Sequence, residues 1–305
     1  MKLGLLGDIH ARSRAPAGRK DDWFNVQMGK FNEALDYFKD NGCMFVLQPG
    51  DFFDSPKPVN QVLSAYIMAL REHGMVMLSV LGQHDTYFHD VVNRHRTAMH
   101  VLQSAGVAMI LGGSKPFAYE NVQIYGASWG EKPPTMRGKA EGVTRILVAH
   151  AHVGSHPLWP GHKLTMPHSY AQDHPGFQLI LLGDYHYRFV ESNVVNIGCL
   201  MRMRNTPLDR VHKPGVGIYD TVTQQLGPVH TLSIQPADDV FAEATETEAE
   251  VAPLLEEFLA RLKRTGKLGT TFMDNLAAIM DARKVDKPTR DAVSIILEAV
   301  GVKDE

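Results

Sequence analysis

Five short segments carry aspartate, histidine or glutamine side chains directly after an apolar run of the sequence. In chain order they are DIH (Asp8, His10), GDFFD (Asp51, Asp54), GQHD (Gln83, His84, Asp85), HAH (His150, His152) and GDYH (Asp184, His186). Carboxylate, amide and imidazole groups are ligands for divalent metal ions. Two such ions close together can activate a water molecule and clamp a phosphate group. The segments therefore predict a dinuclear metal site that hydrolyses phosphoesters.

The spacing within these segments brings ligands together. Asp8 and His10 are two residues apart, and side chains at that spacing lie on the same side of an extended chain, so both can reach one metal ion. Asp184 and His186 repeat this spacing. A glycine before Asp51 permits a tight turn at the end of a strand, where the carboxylate can bridge two cations. Any one segment alone is more often a solvated turn, and the prediction rests on their combination.

Two histidines beside the ligands are candidates for contact with the substrate. His84 is the predicted general acid, because a positively charged imidazole can protonate a leaving oxygen. Asp54 is predicted to orient His84 and to stabilise its charged form. His150 directly follows its strand and is preferred as a ligand, whereas His152 is assigned to the phosphate or to support of the ligands. The alternative for His84 is a residue that only caps a turn.

The predicted elements place each segment at the end of a buried strand. Apolar runs predict the strands that precede the ligands, over 2–7, 43–48, 75–81, 143–149 and 177–182. Helical spacing of apolar residues predicts three helices, over 23–41, 59–73 and 91–105. Strand and helix alternate in the first half, and the later part, including 199–204, is mostly strand. This pattern predicts two packed sheets with outer helices.

Composition and charge exclude several classes of protein. The chain has 305 residues, of which 44% are hydrophobic and 21% charged, as is ordinary for a globular protein. It has no apolar run of membrane-spanning length and no signal-peptide layout at its start. The two cysteines favour a cytosolic location. A net charge of −3 argues against general affinity for nucleic acid, so such binding must come from local basic patches.

The sequence changes character at Pro236. Residues 1–235 are predicted to form one catalytic domain, and residues 236–305 a linker followed by a helical C-terminal module. The linker is acidic and rich in alanine and threonine. Three helix-like segments follow it, near 248–264, 271–282 and 288–300.

The order D-x-H, GD-x-x-D, G-[N/Q]-H-D, H and G-x-x-H resembles that of the calcineurin-like metallophosphoesterase superfamily. Within it, the chain is similar to the SbcD-type DNA repair nucleases of bacteria and phages. The segment NIGCLMRM (196–203) supports that branch, because it resembles the strand that follows the last metal histidine in those proteins. The resemblance covers about residues 1–235. It implies an α/β fold, a four-layer αββα sandwich with a dinuclear centre and, here, a C-terminal helical appendage.

The resemblance assigns the metal ligands by motif position. It implies that the first metal ion is held by Asp8, His10, Asp51 and His186. It implies that the second is held by Asp51, Gln83, His150 and Asp184. His84 would act on the leaving oxygen, and Asp54 stands where the family places the partner of that histidine.

Two ligand positions depart from the family pattern. Gln83 stands where the family usually has asparagine, and Asp184 stands where it usually has histidine. Gln83 carries the same amide on a longer arm, whereas Asp184 adds a negative charge. The set is therefore expected to hold two hard divalent ions, Mn²⁺ first and Mg²⁺ as the alternative. The same departures are also compatible with a scaffold that has lost activity.

Basic residues flank the predicted site in the sequence. Arg12 and Arg14 follow the first motif, and Arg202 and Arg204, expected on one face of a strand, follow the last. We expect them to contact the DNA backbone, although solvated surface is the alternative for each. The resemblance implies a partner, an SbcC-like ATPase that grips the C-terminal helices. Those helices could equally fold back or pair two copies of this chain.

These observations predict a metal-dependent DNA exonuclease or endonuclease of the SbcD type, acting in DNA repair, recombination or replication. One alternative is a phosphodiesterase for a small molecule. The other is a non-catalytic subunit that binds DNA or the ATPase on a degenerate enzyme fold.

Overall fold

The structure is a computed structural model that describes residues 1–113, 115–136, 138, 141–158 and 163–242, together with 280, 281, 287 and 290. The chain divides into two compact units, Met1–Glu243 and Ala244–Glu305. The predicted C-terminal helices near 248–264, 271–282 and 288–300 lie outside the described residues, apart from isolated positions. No helix among the described residues combines the length and apolar character needed to cross a membrane.

The first unit is built from short strands and six α-helices among the described residues. The strands are β1 (Lys2–Leu5), β2 (Cys43–Gln48), β3 (Met77–Ser79), β4 (Ala108–Ile110), β5 (Phe117–Tyr119), β6 (Val122–Ala127), β7 (Thr144–His150), β8 (Leu179–Gly183), β9 (Phe189–Glu191), β10 (Val194–Asn196), β11 (Gly215–Asp220), β12 (Gln225–Leu226) and β13 (His230–Thr231). The α-helices are α1 (Trp23–Asp40), α2 (Asn60–Glu72), α3 (Ala98–Ser104), α4 (Pro167–Asp173), α5 (Pro207–Val211) and α6 (Ala237–Val240). Two 3₁₀ turns, Tyr87–His89 and Val91–Arg96, precede α3.

The strands form two mixed sheets. The first has the order β12-β11-β1-β2-β3-β4, with β13 paired to β11, and β1 to β4 run parallel. The second has the order β5-β6-β7-β8-β10-β9, and β6, β7, β8 and β10 run parallel. Because strands that carry predicted ligands are parallel neighbours in each sheet, their carboxyl ends meet at one edge.

Three apolar clusters separate four layers. Leu5 and Leu78 of the first sheet share a cluster with Val148 and Leu181 of the second, so the sheets pack face to face. A second cluster joins the outer face of the first sheet to α1, α2 and α3. A third joins the outer face of the second sheet to α4. This α/β sandwich confirms the predicted fold class.

Helix α1 shows how the sequence sets one outer layer. The Asp22 carboxylate accepts a hydrogen bond from the Asn25 amide at the start of α1, as an N-cap does. Phe31, Leu35 and Phe38 follow at helical spacing and are fully buried against the first sheet. The predicted helix over 23–41 is therefore confirmed almost to its last residue.

Two predicted elements are wrong. The helix predicted over 91–105 is a 3₁₀ turn followed by α3, because Thr97 has extended backbone and its hydroxyl donates to the Arg94 carbonyl. The strand predicted over 199–204 is irregular, although Met201 and Met203 are buried. The apolar residues of this segment correctly indicate burial, but the segment does not pair with another strand in the described part of the chain.

An aromatic cluster supports the loop after β2. Phe52 and Phe53 are fully buried, and their rings contact Tyr66 of α2 at centroid distances of 5.2 and 6.3 Å. Phe31 lies 4.8 Å from the same ring. The Tyr66 hydroxyl is buried without a hydrogen-bond partner among the described residues, and burial raises its pKa.

We expect Tyr66→Phe to raise the free energy of unfolding by about 1 kcal/mol, because it removes an unsatisfied buried hydroxyl and keeps the ring. Phe31→Ala should instead lower it by about 3 to 5 kcal/mol. Urea unfolding followed by circular dichroism measures both. A loss of stability in Tyr66→Phe would show that its hydroxyl has a partner.

Candidate metal centre

The predicted ligands follow strands of both sheets at the edge where the sheets meet. Asp8 follows β1, Asp51 follows β2 and Gln83 follows β3 in the first sheet. His150 is the last residue of β7, and Asp184 follows β8 in the second. The fold therefore brings together side chains that are far apart in sequence.

One group of ligand atoms surrounds His10. Its Nε2 lies 3.1 Å from His186 Nε2 and 3.8 Å from Asp51 Oδ2. His186 Nε2 lies 3.8 Å from Asp8 Oδ2. Ligand atoms of Asp8, His10 and His186 all lie within 4.8 Å of one another, which is the spacing of atoms that share one metal ion. This group matches the set predicted for the first metal ion.

A second group surrounds His150. Its Nε2 lies 3.4 Å from Asp51 Oδ2 and 4.0 Å from Asp184 Oδ1. Gln83 lies against the same carboxylate, because its Nε2 donates to Asp184 Oδ1 at 2.7 Å. Ligand atoms of Asp8, Asp51 and His150 also lie within 4.8 Å of one another. Asp51 Oδ2 thus lies 3.8 Å from His10 Nε2 and 3.4 Å from His150 Nε2, between the two groups, where a bridging carboxylate would lie.

Buried atoms without partners show that the site fits metal ions. Asp51 Oδ2, Gln83 Oε1 and His150 Nε2 are buried and accept or donate no hydrogen bond within the described part of the chain. Leaving buried polar atoms unsatisfied costs free energy, so such atoms need another partner. All three belong to the predicted ligand set and carry donors suited to a divalent ion.

Hydrogen bonds to main-chain groups hold the predicted ligands in place. Asp51 Oδ1 accepts from the His84 amide at 2.8 Å, which leaves Oδ2 facing His10 and His150. His150 Nδ1 lies 2.7 Å from the Pro49 carbonyl, which leaves Nε2 facing the site. The Asp184 amide donates to Asp8 Oδ2 at 2.9 Å. Such supporting contacts orient ligands and fix histidine tautomers.

Several ligands have strained backbone. His10, Asp51 and Asp184 have φ values of 49°, 50° and 85°, in the left-handed region that favours glycine. Strain of this kind persists where the surroundings overdetermine the conformation, and it clusters at functional sites.

Two glycines permit the close packing of the predicted ligands. A Cβ at Gly82 would overlap Asp51 Oδ1, and one at Gly183 would lie 2.6 Å from Asp8 Oδ1.

The electrostatics of the site favour cations. Burial raises the pKa of Asp8, and the neighbouring carboxylates of Asp51 and Asp184 raise it further. Burial alone would lower the pKa of His150, but the Asp51 carboxylate beside it raises that pKa overall. Burial lowers the pKa of His10, so its ring is neutral and can donate a lone pair to a metal.

His84 is exposed beside these groups, as its predicted role requires. Its ring lies 4.9 Å from that of His10. The prediction that the Asp54 carboxylate orients His84 is wrong, because His84 Nδ1 lies 3.3 Å from the main-chain oxygen of Asp54. The carboxylate instead accepts from Arg12 Nη1 at 2.8 Å and lies 3.6 Å from His10 Nδ1. The positive charge of Arg12 accounts for the orientation of the Asp54 carboxylate.

The predicted substrate contacts divide into three sets, at the site, at the surface and in the interior. His152 is exposed and its Nδ1 contacts Asp184 Oδ2, and Arg12 lies at the site through Asp54. Arg14 and Arg204 are exposed at the surface. Arg202 is 6% exposed and donates to the Gln235 carbonyl at 2.6 Å. The prediction that Arg202 and Arg204 share one face of a strand is wrong, because that segment is irregular, buries Arg202 and leaves Arg204 exposed.

One residue that supports the site, Asp85, had no separate predicted role. Asp85 is fully buried and accepts from the amides of Phe52, Phe53 and Gly82 at 3.3, 2.9 and 3.0 Å. It therefore ties the Asp51 loop to the Gln83 loop. Burial raises the pKa of its carboxyl to about 7. The signal available in the sequence was its place beside Gln83 and His84, which does not distinguish a ligand from a support.

Similarity to known proteins decides the family. Residues 1–188, more than half of the chain, match the family described as Calcineurin-like phosphoesterase. The chain belongs to the calcineurin-like phosphoesterases. The predicted superfamily is therefore confirmed, and the matched region contains every predicted metal ligand of this phosphoesterase.

Other relatives share less with this phosphoesterase. It is 28% identical over 98 residues to exonuclease subunit 1 of Enterobacteria phage T4, and the match spans 30% of this chain and 28% of the phage protein. A solved structure from Thermus thermophilus is 11% identical with a TM-score of 0.46, over 75% of this chain and 98% of its own. A dimetal phosphatase from Danio rerio is 12% identical with a TM-score of 0.45, over 72% of this chain and 91% of its own.

We expect Gly82→Ala to bind fewer than two metal ions per chain, because the added methyl group displaces Asp51 from both ligand groups. Gly112→Ala is the matched control, since its Cβ would lie 3.6 Å from Glu131 Oε2 in ordinary contact. Metal content after manganese loading and gel filtration is the measurement. Full loading of Gly82→Ala would show that the position of Asp51 is not critical.

Proposed function

We propose that this phosphoesterase is a metal-dependent nuclease that hydrolyses phosphodiester bonds in DNA. The observation that carries the proposal is the pair of ligand groups on either side of the Asp51 carboxylate, with an exposed His84 and the cation of Arg12 beside them. The partial similarity to a phage protein named exonuclease subunit 1 supports a nucleic acid as the substrate, and we propose DNA. We assign the protein to the SbcD type, acting in DNA repair, recombination or replication.

The residues that would hold two metal ions follow from the two groups. Asp8, His10 and His186 would hold the first, Gln83, His150 and Asp184 the second, and Asp51 would bridge them. Oxygen donors dominate the second set, which favours hard ions such as Mn²⁺, with Mg²⁺ as the alternative. When bound, two such ions lower the pKa of a water molecule and neutralise charge on the phosphate.

The surrounding side chains supply the remaining chemistry. His84 Nδ1 contacts the Asp54 carbonyl, which leaves Nε2 to donate a proton to a leaving oxygen. His152 is exposed at Asp184 and is placed to contact the phosphate. Arg12 and Arg14 follow the His10 segment and would contact neighbouring phosphates of the backbone. Arg204 is exposed and is a further candidate for such contacts.

Partner and location are further parts of the proposal. An SbcC-like ATPase would bind the C-terminal segment, which lies largely outside the described residues, and pairing of two chains through that segment is the alternative. Both cysteines, Cys43 and Cys199, are buried and free, which fits the cytoplasm of a bacterial or phage-infected cell.

Cleavage of end-labelled DNA, compared with hydrolysis of bis-p-nitrophenyl phosphate, tests the proposed function. With Mn²⁺ we expect both substrates to be cleaved, and the DNA rate to fall as salt rises because backbone contacts are screened. Duplex and single-stranded DNA, each with Mn²⁺ or Mg²⁺, show which strand and ion are preferred. Hydrolysis of the small ester without cleavage of any DNA would favour a small-molecule phosphodiesterase. Failure on both substrates, with DNA affinity intact, would favour a non-catalytic subunit.

We expect His84→Ala to retain both metal ions and to lose turnover by roughly 10²- to 10⁴-fold, as loss of a general acid does. His95→Ala replaces another exposed histidine of the following turn and should behave as the wild type. Metal content and rate are measured on the same samples. Wild-type turnover in His84→Ala would refute its role as an acid.

A further inference from the structure

A cavity separate from the metal centre lies between α1 and the segment 233–240. None of its lining residues is a predicted metal ligand. Its volume is about 360 Å³, within the range of pockets for small ligands. Three cations line it, Arg19, Lys30 and Arg202, together with one carboxylate, Glu33. We refer to it as the α1 cavity.

Two of the cations are buried without a directly paired carboxylate among the described residues. Lys30 and Arg202 are 9% and 6% exposed. Lys30 Nζ donates to the Ser233 carbonyl, and Arg202 Nη2 donates to the Gln235 carbonyl. Among the described residues neither forms an ion pair with a carboxylate, whereas Arg19 is paired with Asp21. A buried charge without a partner is unfavourable, which points to a missing anion.

The nearby carboxylates do not supply that anion. Both oxygens of Glu33 accept from the Ser233 amide, at 2.9 and 3.0 Å. Burial lowers the pKa of Lys30 to about 8, and the charges of Arg202 and Arg19 oppose those of Glu33 and Asp21 in setting that value. With Arg19 paired to Asp21, the charges of Lys30, Arg202 and Glu33 leave the lining of the α1 cavity with a net positive charge.

A glycine of α1 lines the cavity. Gly29 lies in the middle of α1, where glycine is less favourable than alanine, and it lines the cavity. A Cβ built there would meet no atom within 4 Å, so packing does not require glycine. A larger side chain at this position therefore has room at the edge of the cavity. The apolar lining, including Val26 and Val240, offers a surface for the uncharged part of a ligand.

We propose that the α1 cavity binds a small phosphate monoester of about nucleotide size, with its phosphate held by Lys30 and Arg202. A guanidinium fork and an ammonium group are the common pair of phosphate donors in proteins. The monoester could be a free nucleotide or the phosphorylated end of a nucleic acid. The proposal does not depend on which substrate the metal centre hydrolyses.

Equilibrium dialysis of the full-length, manganese-loaded chain tests the proposal, with inorganic phosphate and deoxyadenosine monophosphate as probes. We expect two bound probe molecules per chain, one at the metal centre and one in the α1 cavity. Lys30→Gln should weaken the cavity site by roughly tenfold to a hundredfold, as loss of a charged hydrogen bond does, and Lys30→Arg should restore it. Gly29→Met should block it, and Asp51→Asn should remove only the metal-centre site.

Three readouts separate binding from a structural role. Melting temperature and metal content show that Lys30→Gln and Gly29→Met fold. Affinity at the cavity should fall above about pH 8 in the wild type as Lys30 loses its proton, and should not fall in Lys30→Arg. A phosphorylated trinucleotide that binds more tightly than the mononucleotide identifies a nucleic-acid end, and the reverse order identifies a free nucleotide. A single bound probe in the wild type, or two in folded Gly29→Met and Lys30→Gln, would overturn the proposal.

Discussion

The site depends on holding negative charges close together in the interior. Asp8 and Asp51 are almost fully buried, and Asp184 lies beside them. Like charges at this separation repel one another, and burial strengthens that repulsion. Protonation of His150 relieves part of it, as its raised pKa shows. A pair of divalent cations would relieve it more fully, so the arrangement is one that metal binding stabilises.

The rest of the first unit serves this arrangement. Parallel strands of two sheets deliver the ligands to one edge, and the aromatic cluster around Tyr66 anchors the loop that follows Asp51. Asp85 joins that loop to the one carrying Gln83 through three main-chain amides. The same contacts help to hold Asp51 in its strained backbone conformation.

Much of the fold and of the candidate site was predictable from the sequence. Apolar runs that end in Asp or His locate both the strands and the side chains at their ends, and the structure brings Asp8, Asp51 and His150 together as that pattern predicts. The orientation of the Asp54 carboxylate was not predictable, because Arg12 decides it and the sequence does not show which cation is nearest. Arg202 was misplaced for a similar reason. Its burial depends on a segment more than thirty residues away.

The most direct measurement is anomalous scattering at the manganese edge from crystals of the full-length protein soaked in Mn²⁺. We predict two peaks per chain on either side of the Asp51 carboxylate, one beside His10 and His186 and the other beside His150. The absence of both peaks, or a single ion that does not contact Asp51, would contradict the account.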